Sequence, residues 1–384
     1  MTLSSTTMEL HAQPDVQPMI ANRIVIVADD LTGACDSGVA FLRGGRRVRV
    51  ALDLGGSDGQ SSWDAEVMVF TTETRDASAE QAIDLVAQRV HAFGTMLDGA
   101  LFFKKVDSAA RGNFAVEISA SLDASGVRLA LVAPAFPSAG RTMERGVLTV
   151  RDWSGQDGSV SLRERFGHEP SAGVEVLPAG PVQQLEQGIA RALEAETRIL
   201  LCDATAHVDL ERLAAAGLRV GSPLLWAGSA GLAHALAGEL PVAAEQTATR
   251  TARRGRTILF AGTPHPVTTL QIEYLAQVSG EGARAMERIP EAGASEQQVV
   301  DAFRAEPVGA LILTGGDTAA FVLRALGAAT IDLAGEVARG IPWGFVEGGM
   351  ADGCVVVTKS GGFGERDALA QAFEFCERRS CEPA

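Results

Sequence analysis

The feature that most constrains this chain is a pair of glycine turns between Leu311 and Gly364, each closing an apolar strand and opening a helix. The first reads Leu311-Ile312-Leu313-Thr314-Gly315-Gly316-Asp317-Thr318 and leads into the helical spacing of Ala319 to Leu326. The second reads Val355-Val356-Val357-Thr358-Lys359-Ser360-Gly361-Gly362-Phe363-Gly364, ahead of a helix-like run from Arg366 to Arg378. An aliphatic run that stops at paired glycines leaves backbone N–H groups aimed outward with no side chain in the way, and the following helix dipole adds partial positive charge. Each turn therefore predicts a phosphate cradle, and both suit one edge of a parallel sheet. Neither is a GxxxxGK[ST] loop and neither fits the GxGxxG dinucleotide fingerprint.

Length and charge narrow the setting. At 384 residues the chain is long for one core, so two domains are expected. The net charge of −15 disfavours non-specific binding to nucleic acid or to an anionic membrane, so an anionic ligand must meet a local basic pocket. Five scattered cysteines with no CxxC or CxxH spacing speak against zinc and for reduced thiols in a cytoplasm. Residues 1–22 lack the cationic start and apolar core of a signal peptide and read as a loose tail. No apolar run has the length of a membrane span.

The rest of the chain alternates strand and helix, which predicts an α/β fold of two domains, each a mainly parallel sheet flanked by helices. Strands are expected at Arg23–Ala28, Val48–Leu52, Val67–Phe70, Leu101–Val106, Leu129–Val132, Ile199–Leu201, Leu224–Ala227 and Thr257–Phe260, with helices at Ala79–Val90, Gln183–Leu193 and Glu296–Arg304. The polar, arginine-rich stretch Glu245–Arg256 reads as a boundary between domains of residues 23–245 and 256–384. Asp152–Gly173 is glycine-rich, charged and aperiodic, and reads as an excursion or lid.

Polar residues gather at the ends of the predicted strands. Asp29 and Asp30 follow the first, where open α/β sheets usually bind ligands, and one of the two is expected to cap the next helix. Arg75 follows the third strand; Lys105, Asp107, Ser108, Arg111 and Asn113 follow the fourth. Guanidinium forks, an ammonium and neighbouring hydroxyl-reading groups suit a small polyol acid. Ser138 and Arg141 in a proline-rich loop, and His265 between two prolines, sit in similar places, His265 as a ligand-lining or a structural residue.

With these motifs in hand, the sequence resembles the four-carbon acid sugar kinases over nearly all of its length after the tail. The resemblance rests on ADDLTGACD at Ala28–Asp36, KKVDSAARGN at Lys104–Asn113, APAFPSAGR at Ala133–Arg141, AGSAGLA at Ala227–Ala233, TGGDTA at Thr314–Ala319, GIPWG at Gly340–Gly344 and TKSGGFG at Thr358–Gly364. It implies a sugar-acid-binding N-terminal domain and a nucleotide-binding C-terminal one, with ATP and Mg²⁺ as cofactors, a small sugar acid as substrate and a homodimer kept open. Substrate positions would fall on Asp29, Asp30, Arg75 and Lys105-Val106-Asp107-Ser108. Nucleotide positions would fall on Ser229, on the Gly315-Gly316 turn with Asp317 and Thr318, and on Lys359 and Gly361 through Gly364. The chain departs from the family where Ala109 and Ala110 replace a Thr-Leu pair, where Thr263 replaces a serine, and in lacking an Asp-Pro motif within Asp152–Gly173.

Three functions compete at this stage: a sugar-acid kinase, a nicotinamide oxidoreductase, and a non-catalytic sugar-acid binder on the same fold. The glycine turns without GxGxxG spacing favour the kinase. Within it, Asp30 is the first choice for general base, ahead of Asp107, which Lys105 and Arg111 would hold in a fixed ionised role, and of Asp29, which the turn would consume. Arg75 and Lys105 are expected to receive the substrate carboxylate. Gly316→Val or Gly362→Val is expected to abolish ATP binding while leaving the sugar-acid site intact.

Overall fold

The β-branched run Ile24–Ala28 forms β1, buried along its whole length as a parallel strand covered on both faces must be. A computed structural model describes residues 23–52, 65–167, 173–243, 250–279, 285–288 and 295–381, so the tail 1–22, most of the stretch from Glu245 to Arg250 and residues 168–172 of the excursion lie outside the described residues. After β1 come α1 (Leu31–Gly38), β2 (Val48–Ala51), β3 (Val67–Thr71), α2 (Ala79–Phe93), β4 (Leu101–Lys105), α3 (Phe114–Ser125) and β5 (Ala130–Ala133). A detour follows through β6 (Arg141–Glu144), β7 (Val147–Arg151), β8 (Asp157–Ser161) and the single turn α4 (Leu162–Arg165). The alternation resumes with β9 (Val174–Leu177), α5 (Val182–Glu194), β10 (Ile199–Cys202), α6 (His207–Arg219), β11 (Leu225–Gly228) and α7 (Ala230–Glu239). The second half consists of β12 (Arg256–Ala261), α8 (Pro266–Ser279), β13 (Ala285–Arg288), α9 (Glu296–Arg304), β14 (Val308–Thr314), α10 (Gly316–Ala325), β15 (Thr330–Ala338), β16 (Ile341–Glu347), β17 (Val355–Lys359) and α11 (Ala368–Cys381).

The α/β class is as expected, but the two sheets are not separate. They join edge to edge in one sheet of order β13-β12-β14-β17-β16-β15-β2-β3-β1-β4-β11-β5-β10-β9. The seam is the antiparallel pair β2/β15, in which Val48 lies opposite Leu333 and Ala51 opposite Thr330. Pairing closes what would be two exposed sheet edges. Charge reinforces it: Arg47 just before β2, Arg49 within it and Arg250 from the predicted boundary stretch converge on Asp332 of β15, at 3.1, 2.7 and 3.0 Å. Burial acts to raise the Asp332 pKa, yet Arg49 and Arg47 outweigh it and hold the carboxyl below its ordinary value.

Helix α1 packs against β1 and β3 on one side and against β16, β17 and α10 on the other. The sheet thus bends around α1, and the carboxyl ends of β1 and β4 come to face those of β14 and β17. The detour after β5 is not aperiodic throughout: β8 completes a small antiparallel sheet of order β6-β7-β8. Asp203, just past β10, pins this sheet by accepting from the backbone N–H groups of Arg145 (2.7 Å) and Gly146 (2.9 Å). Lys104, fully buried in β4, is neutralised by Glu117 of α3 at 2.7 Å, so its neighbour Lys105 is the lysine left facing the cleft.

Candidate active site

Where the halves face each other lies a cleft of about 1010 Å³. Its first wall is built from strand ends. Asp30, extended at φ −148° and ψ 161°, is the N-cap of α1. Its Oδ1 accepts from the Gly33 N–H at 2.9 Å and its Oδ2 from the Thr32 hydroxyl at 2.8 Å. Arg75 returns from the end of β3 and donates through Nε (2.9 Å) and Nη2 (3.1 Å) to Asp29, and through Nη1 (2.9 Å) to Asp30 Oδ2. Burial would push the Asp29 carboxyl up, but Arg75, Lys105 and Lys104 outweigh it and the pKa lies below the ordinary value. The expected division of labour is therefore reversed at one point: Asp30 caps the helix, and Asp29 is spent on Arg75 rather than on the turn.

The same pairing revises Arg75. Burial would weaken the guanidinium's charge, yet Asp30, Asp29 and Asp107 hold it fully protonated. Its donors are committed to Asp29 and Asp30, so its geometry suits positioning those carboxylates better than receiving one from a substrate. Lys105, in contrast, lines the cleft's inner recess. Asp107 is held as expected: Oδ1 accepts from the Ala109 N–H (2.9 Å) and Arg111 Nε (3.0 Å), and Oδ2 from Arg111 Nη2 (2.6 Å). Burial opposes ionisation there, but Arg111, Arg75 and Lys105 drive the pKa well down. Ser108 and Arg111 line the cleft.

Two members of this group do not reach it. Val106 is fully buried and is tied by its N–H to the Gly228 carbonyl. Asn113 donates its amide to the carbonyls of Thr74 (2.9 Å) and Ala77 (2.8 Å), so it braces the Arg75 loop from behind.

The facing wall is the pair of glycine turns. Gly315 takes φ +100°, closed to most side chains, and α10 starts at the next residue with Gly316, Asp317 and Thr318 along the cleft. A Cβ added to Gly316 would stand 2.4 Å from Asp30 Oδ2. The carboxylate of one half and the helix N-terminus of the other are therefore in direct apposition. This overturns the expectation that Gly316→Val would spare the sugar-acid side.

Gly361, Gly362 and Phe363 line the second turn, with Gly364 just beyond at φ +85°. Lys359 does not point into the cleft. It is 1% exposed, and its ammonium donates to the Thr268 hydroxyl and to the carbonyls of Ser360, Gly361 and Phe363, stapling the turn from behind. Burial pulls its pKa down to about 7 from 10.5. Between those values the unfolded chain holds a proton that the folded chain has released, so this lysine favours folding more as pH rises through that window. The stability difference between wild type and Lys359→Met is expected to move toward the wild type from pH 7 to about pH 9.5 in urea unfolding. A flat difference would mean that the ammonium stays charged.

Ser229, expected with the nucleotide, stands instead at the end of β11 in the first half. Its hydroxyl donates to the Ala135 carbonyl (2.9 Å) and accepts from the Gly231 N–H. Residues not singled out complete the mouth: Val150, Arg151 and Trp153 from β7 and the turn after it, with Trp153 59% exposed. His265 lines the cleft, its Nδ1 accepting from the Val267 N–H. The halves also clamp each other, with Arg141 over the Phe363 ring (5.9 Å) and Arg339 over that of Phe136 (5.7 Å). Among the described residues no cluster of three or more His, Cys, Asp or Glu could hold a metal, and no helix is long and apolar enough to cross a membrane.

Two family models match end to end: a sugar-binding N-terminal domain over residues 24–236 and a nucleotide-binding C-terminal domain over residues 231–369. A D-threonate kinase of Bordetella bronchiseptica is 33% identical, over 93% of this chain and 98% of that protein. The chain belongs to the four-carbon acid sugar kinases. Other members of the family among its relatives are a D-erythronate kinase of Heliobacterium modesticaldum (25% identical, 92% of this chain and 97% of that one) and a 3-oxo-tetronate kinase of Pseudomonas fluorescens (26%, 90% and 95%). As a four-carbon acid sugar kinase the chain is a phosphotransferase, and the oxidoreductase and non-catalytic readings are set aside. A crystal structure of a Haemophilus influenzae protein shares the fold, with a TM-score of 0.66 at 19% identity over 91% of this chain and 99% of that one.

Proposed function

We propose that the enzyme transfers the γ-phosphoryl group of ATP to a hydroxyl of a four-carbon sugar acid, a tetronate or 3-oxo-tetronate, bound between Asp30 and Lys105. The observation that carries this reading is the apposition of Asp30 Oδ2 and Gly316. A hydroxyl hydrogen-bonded to Asp30 would lie at the N-terminus of α10, where the terminal phosphate of a nucleotide seated on the glycine turns would stand. Phosphoryl transfer needs little beyond such placement and charge stabilisation. In this scheme residues 23–245 hold the acid and residues 256–384 the nucleotide.

Each residue then has a bounded task. Asp30 orients the attacking hydroxyl and accepts its proton. Arg75 holds Asp30 and Asp29 in register. Lys105 supplies the positive charge that an acidic substrate needs in an acidic protein. The N–H groups after Gly315 and Gly361 receive phosphate oxygens. Mg²⁺ fits as a companion of the nucleotide rather than as a resident ion, because only scattered carboxylates line the cleft, Asp30 and Asp317 among them, and Mg²⁺ commonly binds through one or two carboxylates, waters and phosphates. When bound, it would neutralise phosphate charge. The free, buried state of Cys35, Cys202, Cys354 and Cys376 suits a cytoplasmic location.

Coupled ADP release across four- to six-carbon sugar acids tests the reading. Turnover is expected to be confined to four-carbon acids. A preference for longer acids would move the substrate class, and here Ala109 matters: it lines the cleft where the family commonly carries a hydroxyl, leaving extra room.

A further inference from the structure

Helix α1 is almost entirely apolar or small, and Leu31, Ala34 and Cys35 are fully buried. Asp36 is the exception. It follows Gly33 by three positions and Thr32 by four, so the three share one helix face, and that face floors a recess at the inner end of the cleft. The recess holds about 30 Å³, room for about one water and hence for one hydroxyl group. Its other walls include Lys105 and Ser229 of the first half and Ser360 and Phe363 of the second.

Asp36 Oδ1 is sealed from bulk solvent and has no hydrogen-bond partner. Buried acceptors are almost always satisfied, and an orphan beside a ligand cleft needs an occupant. Ser229 cannot supply the proton, because its hydroxyl already donates to Ala135. Lys105, Glu336, Asp30 and Arg339 are the charged groups that act on Asp36; burial dominates and pushes its carboxyl up to about 7. Nothing in the capping of α1 uses this side chain, since Asp30 makes the cap.

We propose that Asp36 is a specificity-determining residue of the sugar-acid site, its Oδ1 accepting a hydrogen bond from a substrate hydroxyl other than the one phosphorylated. That hydroxyl fills the recess and can in turn accept from the Lys105 ammonium. An acid lacking it would leave Oδ1 orphaned, and sites built to pair with a hydroxyl reject analogues that lack it. The assignment rests on the sugar-acid kinase reading.

The test is a substrate cycle on the purified full chain: wild type, Asp36→Ala and Asp36→Asn, each with the preferred four-carbon acid and its 2-deoxy and 3-deoxy analogues. For the wild type, one deoxy analogue is expected to lose at least about 10²-fold in kcat/KM relative to the parent acid. In Asp36→Ala that discrimination should shrink to within about threefold, with KM for ATP unchanged, and Asp36→Asn, which keeps an acceptor oxygen, should retain part of it. Equal losses on parent and deoxy acids would overturn the assignment and make Asp36 structural. A wild type that phosphorylates no sugar acid would overturn the kinase reading itself, and this assignment with it.

Discussion

Asp30→Asn is expected to lower kcat by at least about 10²-fold while leaving ATP affinity within about twofold of wild type. The amide keeps what the structure requires locally. Asn is as good an N-cap as Asp, so the Gly33 contact and the start of α1 survive. With its one oxygen on the Gly33 N–H, its NH2 faces the Thr32 hydroxyl, which can turn to accept, and gives up the Arg75 Nη1 contact, while Asp29 still holds the guanidinium through Nε and Nη2. What it cannot do is take the proton of the attacking hydroxyl. Single-turnover kinetics with calorimetric ATP titration would separate the two effects. A near-normal kcat would move the role to Asp107, whose oxygens Arg111 engages much as Gly33, Thr32 and Arg75 engage those of Asp30, or show that positioning suffices without a base.

Gly316→Val is expected to reduce kcat/KM for ATP and for the sugar acid together, each by about 10²-fold or more. The added Cβ would sit 2.4 Å from Asp30 Oδ2 and 3.1 Å from its carboxyl carbon, so either the carboxylate or the helix N-terminus must move. Gly362→Val provides the contrast. The atoms nearest its Cβ would be those of the His265 ring, at 3.0 Å from Nε2, and a cleft-lining side chain can turn aside. That variant should raise KM for ATP with little effect on the acid. If Gly316→Val harms ATP binding alone, Asp30 and the first glycine turn are not working as one site.

How much of this was legible beforehand depended on the range of the interaction involved. Strand β1 and both glycine turns could be read from a few consecutive residues, because unbroken apolar runs and paired glycines act locally on burial and backbone freedom. Strand β15 and the small sheet β6-β7-β8 could not: many of their residues are polar or half-exposed, and such strands leave a weak pattern. The β2/β15 seam lies further still from any local signal, since it joins residues almost three hundred positions apart.

By itself the amino-acid sequence determined the class of the fold, the strand ends on which chemistry would gather, and, through seven ordered motifs, the family. The orientation of side chains at those ends was decided only by tertiary structure. Lys359 and Lys105 both occupy a strand terminus beside a glycine or serine turn, yet one staples its turn from behind and the other lines the recess. Asp29 and Asp30 are chain neighbours, but only Asp30 meets the helix of the other half. Such differences arise because the sheet bends around α1, and that bend is a balance of long-range contacts that no short stretch of sequence encodes.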